Sequence, residues 1–287
     1  MLKIGILTCE KFRDLIYADQ ILMNKIIERG YEVSPVVWSD YNDVEKYDVL
    51  LFRSTWDYFE RKEEFNQWLT SLENKNVLLF NPLHIIQENI HKFYLQKLEN
   101  QGIKIVPTIF IEKNNAFHFD LPEDWKKSII KPAYSAGAYK TKVFENSEKI
   151  DIIFEYKDFV KENDVLIQKF MPEIISNGET SLIFFNGRYS HSVLKKPKEG
   201  DFRVQSIFGG KYEKVIINEQ ILFQAKHILN LLSDLPLYAR VDGIMIENEL
   251  YLMEVEMIEP DLYIEYEYDA YDRFIDALEE RIHLKIT

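Results

Sequence analysis

Two apolar segments near the end of the chain constrain its fold most, because each carries carboxylates inside a strand pattern. Residues 239–243 have the sequence Ala-Arg-Val-Asp-Gly, and residues 253–257 have the sequence Met-Glu-Val-Glu-Met. This alternation is typical of β-strands. Glu254 and Glu256 are two residues apart, so a strand places both carboxylates on one face. Apolar residues on both faces indicate an interior strand, where a carboxylate needs a partner.

The spacing of these segments predicts a β-hairpin with three carboxylates on one face. Residues 247–249 could form its turn, with Asn248 in a left-handed conformation. In that register Asp242 lies opposite Glu254. Carboxylates this close repel one another unless a cation lies among them. Because Mg²⁺ prefers oxygen ligands, this face is a candidate metal site, and a solvated acidic surface is the alternative.

Composition argues against several classes of partner. The 287 residues carry a formal net charge of −13, which opposes nucleic acid or an anionic membrane as a partner. A single cysteine, Cys9, allows no internal disulfide and fits a reducing cytosol. No apolar run approaches the ~20 residues of a membrane span, and charge follows residues 1–7 too soon for a signal peptide. We therefore expect a cytoplasmic protein.

The periodicity of apolar residues predicts an α/β fold. Strands are predicted at residues 2–9, 33–38, 49–52 and 77–80, with helices at 13–29 and 63–72 between them. This strand–helix–strand order indicates a small parallel sheet, although it lacks the glycine fingerprint of a dinucleotide site. Further elements are predicted as helices at 85–100, 217–233 and 269–281, and as strands at 104–111, 127–131, 165–170, 180–185 and 188–194. Asn186-Gly187 predicts a tight turn between the last two strands.

Basic residues and glycines precede the acidic hairpin. Lys131 ends a predicted strand before a loop of small residues at 133–138, where backbone N–H groups can approach a phosphate. An ordinary surface loop is the alternative. Arg203 lies between Gly200 and the pair Gly209-Gly210, and arginine suits bidentate contact with phosphate or carboxylate.

In this order the segments resemble the ATP-grasp superfamily of carboxylate–amine ligases over nearly the whole chain. The matching segments are Lys131-Pro132, residues 168–171, Gly178-Glu179, residues 200–203, Arg240-x-Asp242 and Glu254-x-Glu256. Residues 53–58, Asn81-Pro82 and residues 254–262 are similar to those of a narrower group, the cyclo-ligases of cycloserine biosynthesis and their relatives. Most ATP-grasp ligases carry Asn where Glu256 stands, whereas this narrower group shares the Glu-x-Glu.

The resemblance implies an α/β fold of three parts. An N-terminal parallel α/β domain would span residues 1–84, and two ATP-grasp subdomains would span residues 85–164 and 165–287, with ATP between them. It also implies a carbon–nitrogen ligase that phosphorylates a small amino-acid-like carboxylate and joins the acyl phosphate to an amine. The amine could belong to the same molecule or to another. The expected cofactors are ATP and Mg²⁺, for which Mn²⁺ can substitute.

Roles for individual residues follow from the same resemblance. Phosphates would contact Lys92 and Lys131, the backbone at 169–170 would bind adenine, and Glu179 would bind the ribose hydroxyls. The ATP-binding candidates are Lys92, Lys131, Ser135, Gly137, Gln168, Lys169, Phe170, Glu179 and Gln205. The catalytic candidates, which would stabilise phosphoryl charge, are Arg203 and Arg240, and the metal ligands are Asp242, Glu254 and Glu256.

Substrate contacts are predicted near the end of the third parallel strand, because ligands bind at the carboxyl ends of such strands. The candidates there are Ser54, Trp56 and Asp57, with a purely structural loop as the alternative. Lys195 and His191 are further candidates.

Two other functional classes stay open on the residues alone. An Asp followed by Glu-x-Glu can also hold two metals in a nuclease or phosphodiesterase. The usual nuclease pattern, however, has a lysine where Glu256 stands, and the net charge opposes DNA binding. A degenerate nucleotide-binding regulatory protein is the other class, which the intact Lys131, Arg240 and three acids oppose. A homo-oligomer is compatible with either class and with the ligase.

Overall fold

A computed structural model describes residues 1–40, 43–113 and 119–286 of the chain. The first sheet has four parallel strands in the order β2-β1-β3-β4. Its elements are β1 (Lys3–Thr8), α1 (Tyr17–Glu28), β2 (Glu32–Val37), β3 (Val49–Ser54), α2 (Lys62–Leu72) and β4 (Leu78–Phe80). This confirms the predicted parallel α/β sheet. Helix α1 begins at Tyr17, four residues later than predicted, and Leu15 just before it has a φ of 66° that no helix accommodates.

The predicted helix over residues 85–100 is two helices. They are α3 (Leu83–Asn89) and α4 (Tyr94–Asn100), and residues 90–93 between them form turns. Lys92 lies in this break, and its backbone N–H donates to the Ala133 carbonyl at 2.9 Å. Apolar periodicity continues across the break, so the sequence pattern does not reveal it.

A second sheet is antiparallel, with strand order β5-β8-β6-β7. Its elements are β5 (Thr108–Ile111), β6 (Lys127–Pro132), β7 (Lys142–Glu145), α5 (Lys149–Tyr156) and β8 (Val165–Lys169). Strand β7 and helix α5 were not predicted. Strand β8 pairs with β5 and β6, although the predicted boundary at 165 assigned it to the third segment. The second sheet therefore extends through Lys169.

A third sheet of five antiparallel strands carries the acidic hairpin. Its order is β11-β10-β9-β12-β13. The elements of this part are α6 (Glu173–Ser176), β9 (Glu179–Phe185), β10 (Arg188–Lys196), β11 (Lys211–Lys214), α7 (Glu219–Asn230), β12 (Tyr238–Ile246), β13 (Glu249–Glu256) and α8 (Ala270–Ile286). The predicted turn at Asn186-Gly187 is confirmed, with φ of 46° and 69°.

Buried residues join the first and third sheets. Ile4 and Ile26 of the first sheet and its helix share one apolar core with Tyr238 and Phe274 of the third part. Asn81, just after β4, donates from Nδ2 to the carbonyls of Tyr238 at 2.8 Å and Met257 at 2.7 Å. One buried amide thus fixes the hairpin against the N-terminal sheet. Over the described ranges, no helix is long and apolar enough to cross a membrane.

Candidate active site

Strands β12 and β13 pair in the register predicted for the acids. Asp242 lies opposite Glu254 and Arg240 lies opposite Glu256. The turn differs from the prediction, because Ile246 pairs with Glu249 and only residues 247–248 remain unpaired. The left-handed backbone falls on Glu247, whose φ is 57°, where the prediction placed it on Asn248.

A bulge restores the register that the shorter turn would have changed. If the pairing next to the turn continued along the hairpin without a shift, Asp242 would lie opposite Met253. Asp242 and Glu254 would then lie on opposite faces of the sheet. The register instead shifts by one residue between Asp242 and Gly243. A Cβ atom on Gly243 would lie 2.6 Å from Leu250 Cδ1 and 2.7 Å from the Tyr251 carbonyl oxygen. The glycine is therefore required by close packing at the bulge.

Cations neutralise the three acids of the hairpin. Arg240 donates from Nη2 to Asp242 Oδ2 at 2.8 Å and also pairs with Glu256. The Lys92 ammonium lies 2.9 Å from Glu254 Oε1. The predicted catalytic arginine and a predicted phosphate-binding lysine thus converge on the predicted metal ligands.

Lys195 forms a second, deeper layer of this charge network. Its ammonium pairs with Glu179, the residue opposite on β9, and lies 3.5 Å from Asp242 Oδ1. Ser181 donates to the same Asp242 oxygen at 2.5 Å. Lys195 is buried and both of its carboxylate partners belong to the protein, and its contact with substrate stays a prediction. Burial raises the pKa of Glu179, and the Lys195 charge opposes that rise.

The two acids of β13 fit a divalent cation better than Asp242 does. Glu254 and Glu256 keep 27% and 26% of their side chains exposed, whereas both oxygens of Asp242 are hydrogen-bonded within the protein. Burial raises the pKa of Glu256 to about 8, and the neighbouring carboxylates of Glu254 and Asp242 add to the rise although Arg240 opposes it. A bound cation would relieve this repulsion. Among the described residues, no three His, Cys, Asp or Glu side chains are grouped closely enough to hold a metal ion as they stand.

Lys131 presents a positive charge without a counter-ion. It lies near the end of β6, and no described carboxylate forms an ion pair with it. Its pKa is lowered to about 8, chiefly by burial; the nearby Lys92 charge contributes to the lowering and Glu254 opposes it. The following loop contains Gly137 in a left-handed conformation with open space around its Cα. An anion such as phosphate suits this position.

The loop after β6 is tied to the hairpin through Lys92. The Lys92 ammonium donates to the Ser135 carbonyl at 2.5 Å as well as pairing with Glu254. Ser135 itself is buried, and its hydroxyl donates to the Pro132 carbonyl at 2.9 Å. One ammonium therefore joins the predicted phosphate loop to the predicted metal ligands.

The predicted adenine-binding hinge already uses its backbone N–H groups. Lys169 N–H donates to the Pro107 carbonyl at 2.9 Å, and Phe170 N–H donates to the Lys127 carbonyl at 3.0 Å. Adenine contacts from these two residues would therefore come from groups other than their N–H. Gln168 is buried and donates to Thr108 Oγ1 at 3.0 Å.

The loop between β10 and β11 does not bring Arg203 into contact with the hairpin. Arg203 donates to Asp201 Oδ2 at 2.8 Å and lies over the Phe208 ring, 3.7 Å from its centroid. Side-chain hydrogen bonds from Arg203 lower the pKa of Asp201. Gln205 Oε1 is buried without a hydrogen-bond partner among the described residues. A shared catalytic site for Arg203 and Arg240 stays a prediction.

The N-terminal substrate candidates make contacts within the protein. Ser54 and Thr8 share a hydrogen bond of 2.9 Å between their hydroxyls. Trp56 Nε1 donates to the Glu259 carbonyl at 2.9 Å, and Asp57 Oδ1 accepts a hydrogen bond of 2.7 Å from the Trp38 indole. Trp56 thus joins the N-terminal domain to the segment after β13.

His191, the remaining substrate candidate, is a core residue. Its Nε2 lies 3.0 Å from the Leu262 carbonyl and 3.1 Å from the Tyr263 carbonyl, so this nitrogen carries the proton. Burial lowers the pKa of His191 to about 4, and the imidazole is neutral at physiological pH.

Sequence reasoning assigned no role to three charged residues near the site. Arg53 at the end of β3 donates to Asp19 Oδ1 at 2.9 Å and to the Pro260 carbonyl at 3.1 Å, and both partners of the ion pair are buried. The sequence could have drawn attention to Asp19, because it is an acid among the apolar positions of α1. Glu259 is buried in the segment just after the hairpin. Its position three residues after Glu256 was the sequence feature that could have drawn attention to it.

Comparisons with known proteins agree with this architecture. Residues 4–81 match the N-terminal domain of D-cycloserine synthetase DcsG, and residues 91–266 match the ATP-grasp domain of prokaryotic glutathione synthetase. The cycloserine biosynthesis protein DcsG of Streptomyces lavendulae is 24% identical over 266 residues, which cover 85% of this chain and 87% of that protein.

Solved structures show the same fold. The structure of D-cycloserine synthetase DcsG superposes with a TM-score of 0.86 at 21% identity, covering 98% of this chain and 99% of that chain. The D-alanine–D-alanine ligase of Bacillus anthracis in complex with ATP superposes with a TM-score of 0.68 at 17% identity, covering 100% of both chains.

Fold, site and comparisons together define an ATP-dependent carboxylate–amine ligase of the ADP-forming kind. The family match spans more than half of the residues. The chain belongs to the ATP-grasp superfamily, with the glutathione-synthetase type of ATP-grasp domain following an N-terminal domain of the DcsG type. Members of this superfamily generally use ATP and Mg²⁺.

Proposed function

We propose that this protein phosphorylates the carboxylate of a small amino-acid-like substrate and joins the resulting acyl phosphate to an amine, releasing ADP and phosphate. The observation that carries the proposal is the position of the Lys92 ammonium, 2.5 Å from the loop at Ser135 and 2.9 Å from Glu254. This position supports the proposal because a predicted phosphate-binding lysine contacts both the predicted phosphate loop and a predicted metal ligand.

The chemistry explains why such a site needs both signs of charge. A carboxylate resists attack by an amine because oxide is a poor leaving group, whereas an acyl phosphate releases phosphate. The protein must therefore orient ATP, stabilise the transferring phosphoryl charge and exclude water. In this proposal Lys92 and Lys131 hold phosphate oxygens and Arg240 stabilises the developing charge.

Residues of the hairpin would hold the metal. Glu254 and Glu256 share one partly exposed face and suit Mg²⁺, and Asp242 would join them if Arg240 or Lys195 released one of its oxygens. When bound, Mg²⁺ supplies charge neutralisation of the β and γ phosphates during transfer. For the metal to bind, the side-chain cations of Lys92 and Arg240 must move away from Glu254 and Glu256.

A small substrate is supported by the N-terminal domain and by charge. The matching N-terminal domain is that of a protein named for D-cycloserine synthesis, whose name describes a small cyclic amino-acid derivative. A net charge of −13 opposes nucleic acid as the acceptor. Ring closure within one molecule and ligation of two molecules both fit this site.

The proposal is tested by product analysis with MgATP and a panel of D- and L-amino acids, singly and in pairs. We expect ADP and phosphate in equal amounts with at least one acceptor, because attack of the substrate carboxylate on the γ phosphorus releases ADP, and attack of the amine on the acyl phosphate then releases phosphate. AMP and pyrophosphate as the products would show adenylation and contradict the proposal.

Nucleotide binding is tested independently of the substrate. MgADP should raise the melting temperature, since a ligand that binds only the folded state stabilises it by mass action. GDP should raise it less if the base is recognised as adenine. Absence of any shift with millimolar MgADP would contradict the nucleotide site.

A further inference from the structure

The break between α3 and α4 lies against the strand that carries two of the predicted metal ligands. Asn89 ends α3, Tyr94 begins α4, and Lys92 lies in the turns between them. The three residues are buried, with 8%, 9% and 6% of their surfaces exposed. Each of them contacts β13 or the residue that follows it. Three side chains of one short segment therefore meet one strand.

Strand β13 lies at the end of the strand order of the third sheet, and side chains bond to its outer edge. The Tyr94 hydroxyl accepts a hydrogen bond from Val255 N–H at 2.8 Å and donates to the Val255 carbonyl at 3.0 Å. Asn89 Nδ2 donates to the same carbonyl at 2.7 Å, and Asn89 Oδ1 accepts from Met257 N–H at 2.9 Å. A reversed amide would lose both bonds, so the orientation of Asn89 is fixed. The two side chains take the place of a neighbouring strand.

The residue that they bind lies between the two acids of β13. Val255 separates Glu254 from Glu256, so the position of its backbone sets the position of both carboxylates. Lys92 is fixed in the same place, because its ammonium lies 2.9 Å from Glu254 Oε1 and its backbone N–H donates to the Ala133 carbonyl at 2.9 Å. One segment of the chain therefore determines how far a predicted phosphate-binding lysine lies from two predicted metal ligands.

The break in the helix allows these side chains to meet the same strand. Successive residues of a continuous α-helix are rotated by about 100°, so Lys92 and Tyr94 would point about 160° apart. The turns at residues 90–93 instead direct both side chains to β13. An unbroken helix or a loop could also cover the edge of a sheet, so protection of the edge does not account for the break.

We propose that Tyr94 and Asn89 are positioning residues, which hold the two acids of β13 at a fixed distance from the Lys92 ammonium. The inference rests on the proposed function, in which Lys92 binds a phosphate oxygen and the acids bind Mg²⁺. Carboxylate and phosphate oxygens must lie at a set separation to share one Mg²⁺, because this ion requires nearly octahedral geometry. In this role neither residue contacts nucleotide or metal, and both act through the backbone of β13.

The role predicts that the coupling between Mg²⁺ and ADP depends on the Tyr94 hydroxyl. In wild type, Mg²⁺ should tighten ADP binding at least about tenfold. Tyr94→Phe keeps the ring but leaves Val255 N–H without its partner, while Asn89 still binds the Val255 carbonyl. The strand can then shift relative to Lys92, and Mg²⁺ should tighten ADP binding only about threefold or less. ADP affinity without metal should stay within about twofold of wild type, because Lys92 is retained.

The test is isothermal titration of ADP into wild type and Tyr94→Phe, once with Mg²⁺ and once with a chelator. Tyr47→Phe is the matched control, since Tyr47 is 8% exposed and its hydroxyl shares one hydrogen bond of 2.9 Å with Ser34 in the N-terminal domain. A purely structural role would lower the melting temperature of both variants and leave the ratio of the two ADP affinities unchanged. We expect the ratio to fall in Tyr94→Phe and to match wild type in Tyr47→Phe.

Turnover gives a second measurement of the same effect. With the amino acid that gives wild type its highest ADP release, the Mg²⁺ concentration for half the maximal rate should rise at least about fivefold in Tyr94→Phe. The rate at saturating Mg²⁺ should stay within about threefold of wild type, because the residues that contact the reacting groups are unchanged. An unchanged Mg²⁺ requirement would contradict the positioning role.

The wild-type affinity ratio in folded Tyr94→Phe would overturn the inference, as would an equal fall of the ratio in Tyr47→Phe. If circular dichroism shows that Tyr94→Phe does not fold, Asn89→Ala replaces it, since this change removes the other side chain bonded to Val255 and leaves Tyr94 in place. Its ratio should also fall, and a wild-type ratio there would overturn the inference.

Failure of the proposed function gives a different result. A wild-type protein that binds ADP equally well with and without Mg²⁺ would overturn the positioning role and leave the nucleotide site intact. A wild-type protein that binds no ADP under either condition would contradict the proposed function, and the inference would fall with it.

Discussion

The Lys92 ammonium lies 2.9 Å from Glu254 Oε1, so a lysine predicted to bind phosphate neutralises an acid predicted to bind metal. In the proposed ligase, phosphate would bind Lys92 and Mg²⁺ would bind Glu254. Binding of nucleotide to Lys92 would free Glu254 for the metal. Nucleotide and metal binding should therefore favour each other, as linked equilibria require.

Replacement of Lys92 by Met should weaken MgADP binding at least about tenfold, since a charge-assisted contact to phosphate contributes roughly 1.5–3 kcal/mol. Isothermal titration with MgADP measures this. Lys104→Met is the matched control, because Lys104 pairs with Glu249 at 2.8 Å near the turn of the same hairpin, on the surface. Equal MgADP affinity in wild type and Lys92→Met would remove Lys92 from the nucleotide site.

Glu254→Gln should lower turnover by orders of magnitude while the fold is retained, because an amide is a poorer Mg²⁺ ligand than a carboxylate. Glu256→Asn should have a milder effect, since Asn occupies this position in most of the superfamily. The measurement is ADP release as a function of Mg²⁺ concentration, with circular dichroism as the control for folding. Wild-type activity in both variants would show that the hairpin acids form only a charged surface.

Gly243→Ala should lower the free energy of unfolding by about 2 kcal/mol, because the new methyl group would overlap Leu250 and the Tyr251 backbone. Urea unfolding measures the change. Gly137→Ala is the comparison, since no atom lies within 4 Å of the position that its Cβ would take and only its φ of +59° disfavours alanine, at about 1 kcal/mol. A larger loss in Gly137→Ala would contradict the packing role of Gly243.

Because of His191, the free energy of unfolding should decrease as the pH drops from about 6.5 to 4. Its pKa is lowered to about 4 in the folded protein, so the unfolded chain binds the extra proton first. The contribution of neutral His191 to the free energy of unfolding, roughly 3 kcal/mol, is fully present above about pH 6.5, the pKa of histidine in the unfolded chain. It is lost as the pH falls toward 4. The raised pKa values of Glu256 and Glu259 act in the opposite direction.

The His191 effect is therefore isolated as a difference between proteins. Urea unfolding of wild type and His191→Gln at several pH values between 4 and 7 gives the two slopes. The variant should be less stable at pH 7, and its stability should depend less on pH in this window. Parallel slopes would show that His191 does not titrate with this shift.

The sequence alone determined which side chains share a face of a strand and which turns are tight. The interval of two between Glu254 and Glu256, and the Asn186-Gly187 pair, are local features with local consequences. The family resemblance added the order of the segments and the ATP-grasp fold. Neither source could reveal the break at residues 90–93, because the apolar periodicity of α3 and α4 continues through it.

Only the tertiary structure decided the register and the charge balance of the site. The predicted opposition of Asp242 and Glu254 holds because a bulge at Gly243 offsets a turn one residue shorter than expected. The hairpin acids form ion pairs with Lys92 and Lys195, which are far from them in sequence. Glu259 forms no ion pair with any of the described residues. Strand periodicity is fixed by neighbouring residues, whereas pairing of charges depends on chain segments that only folding brings together.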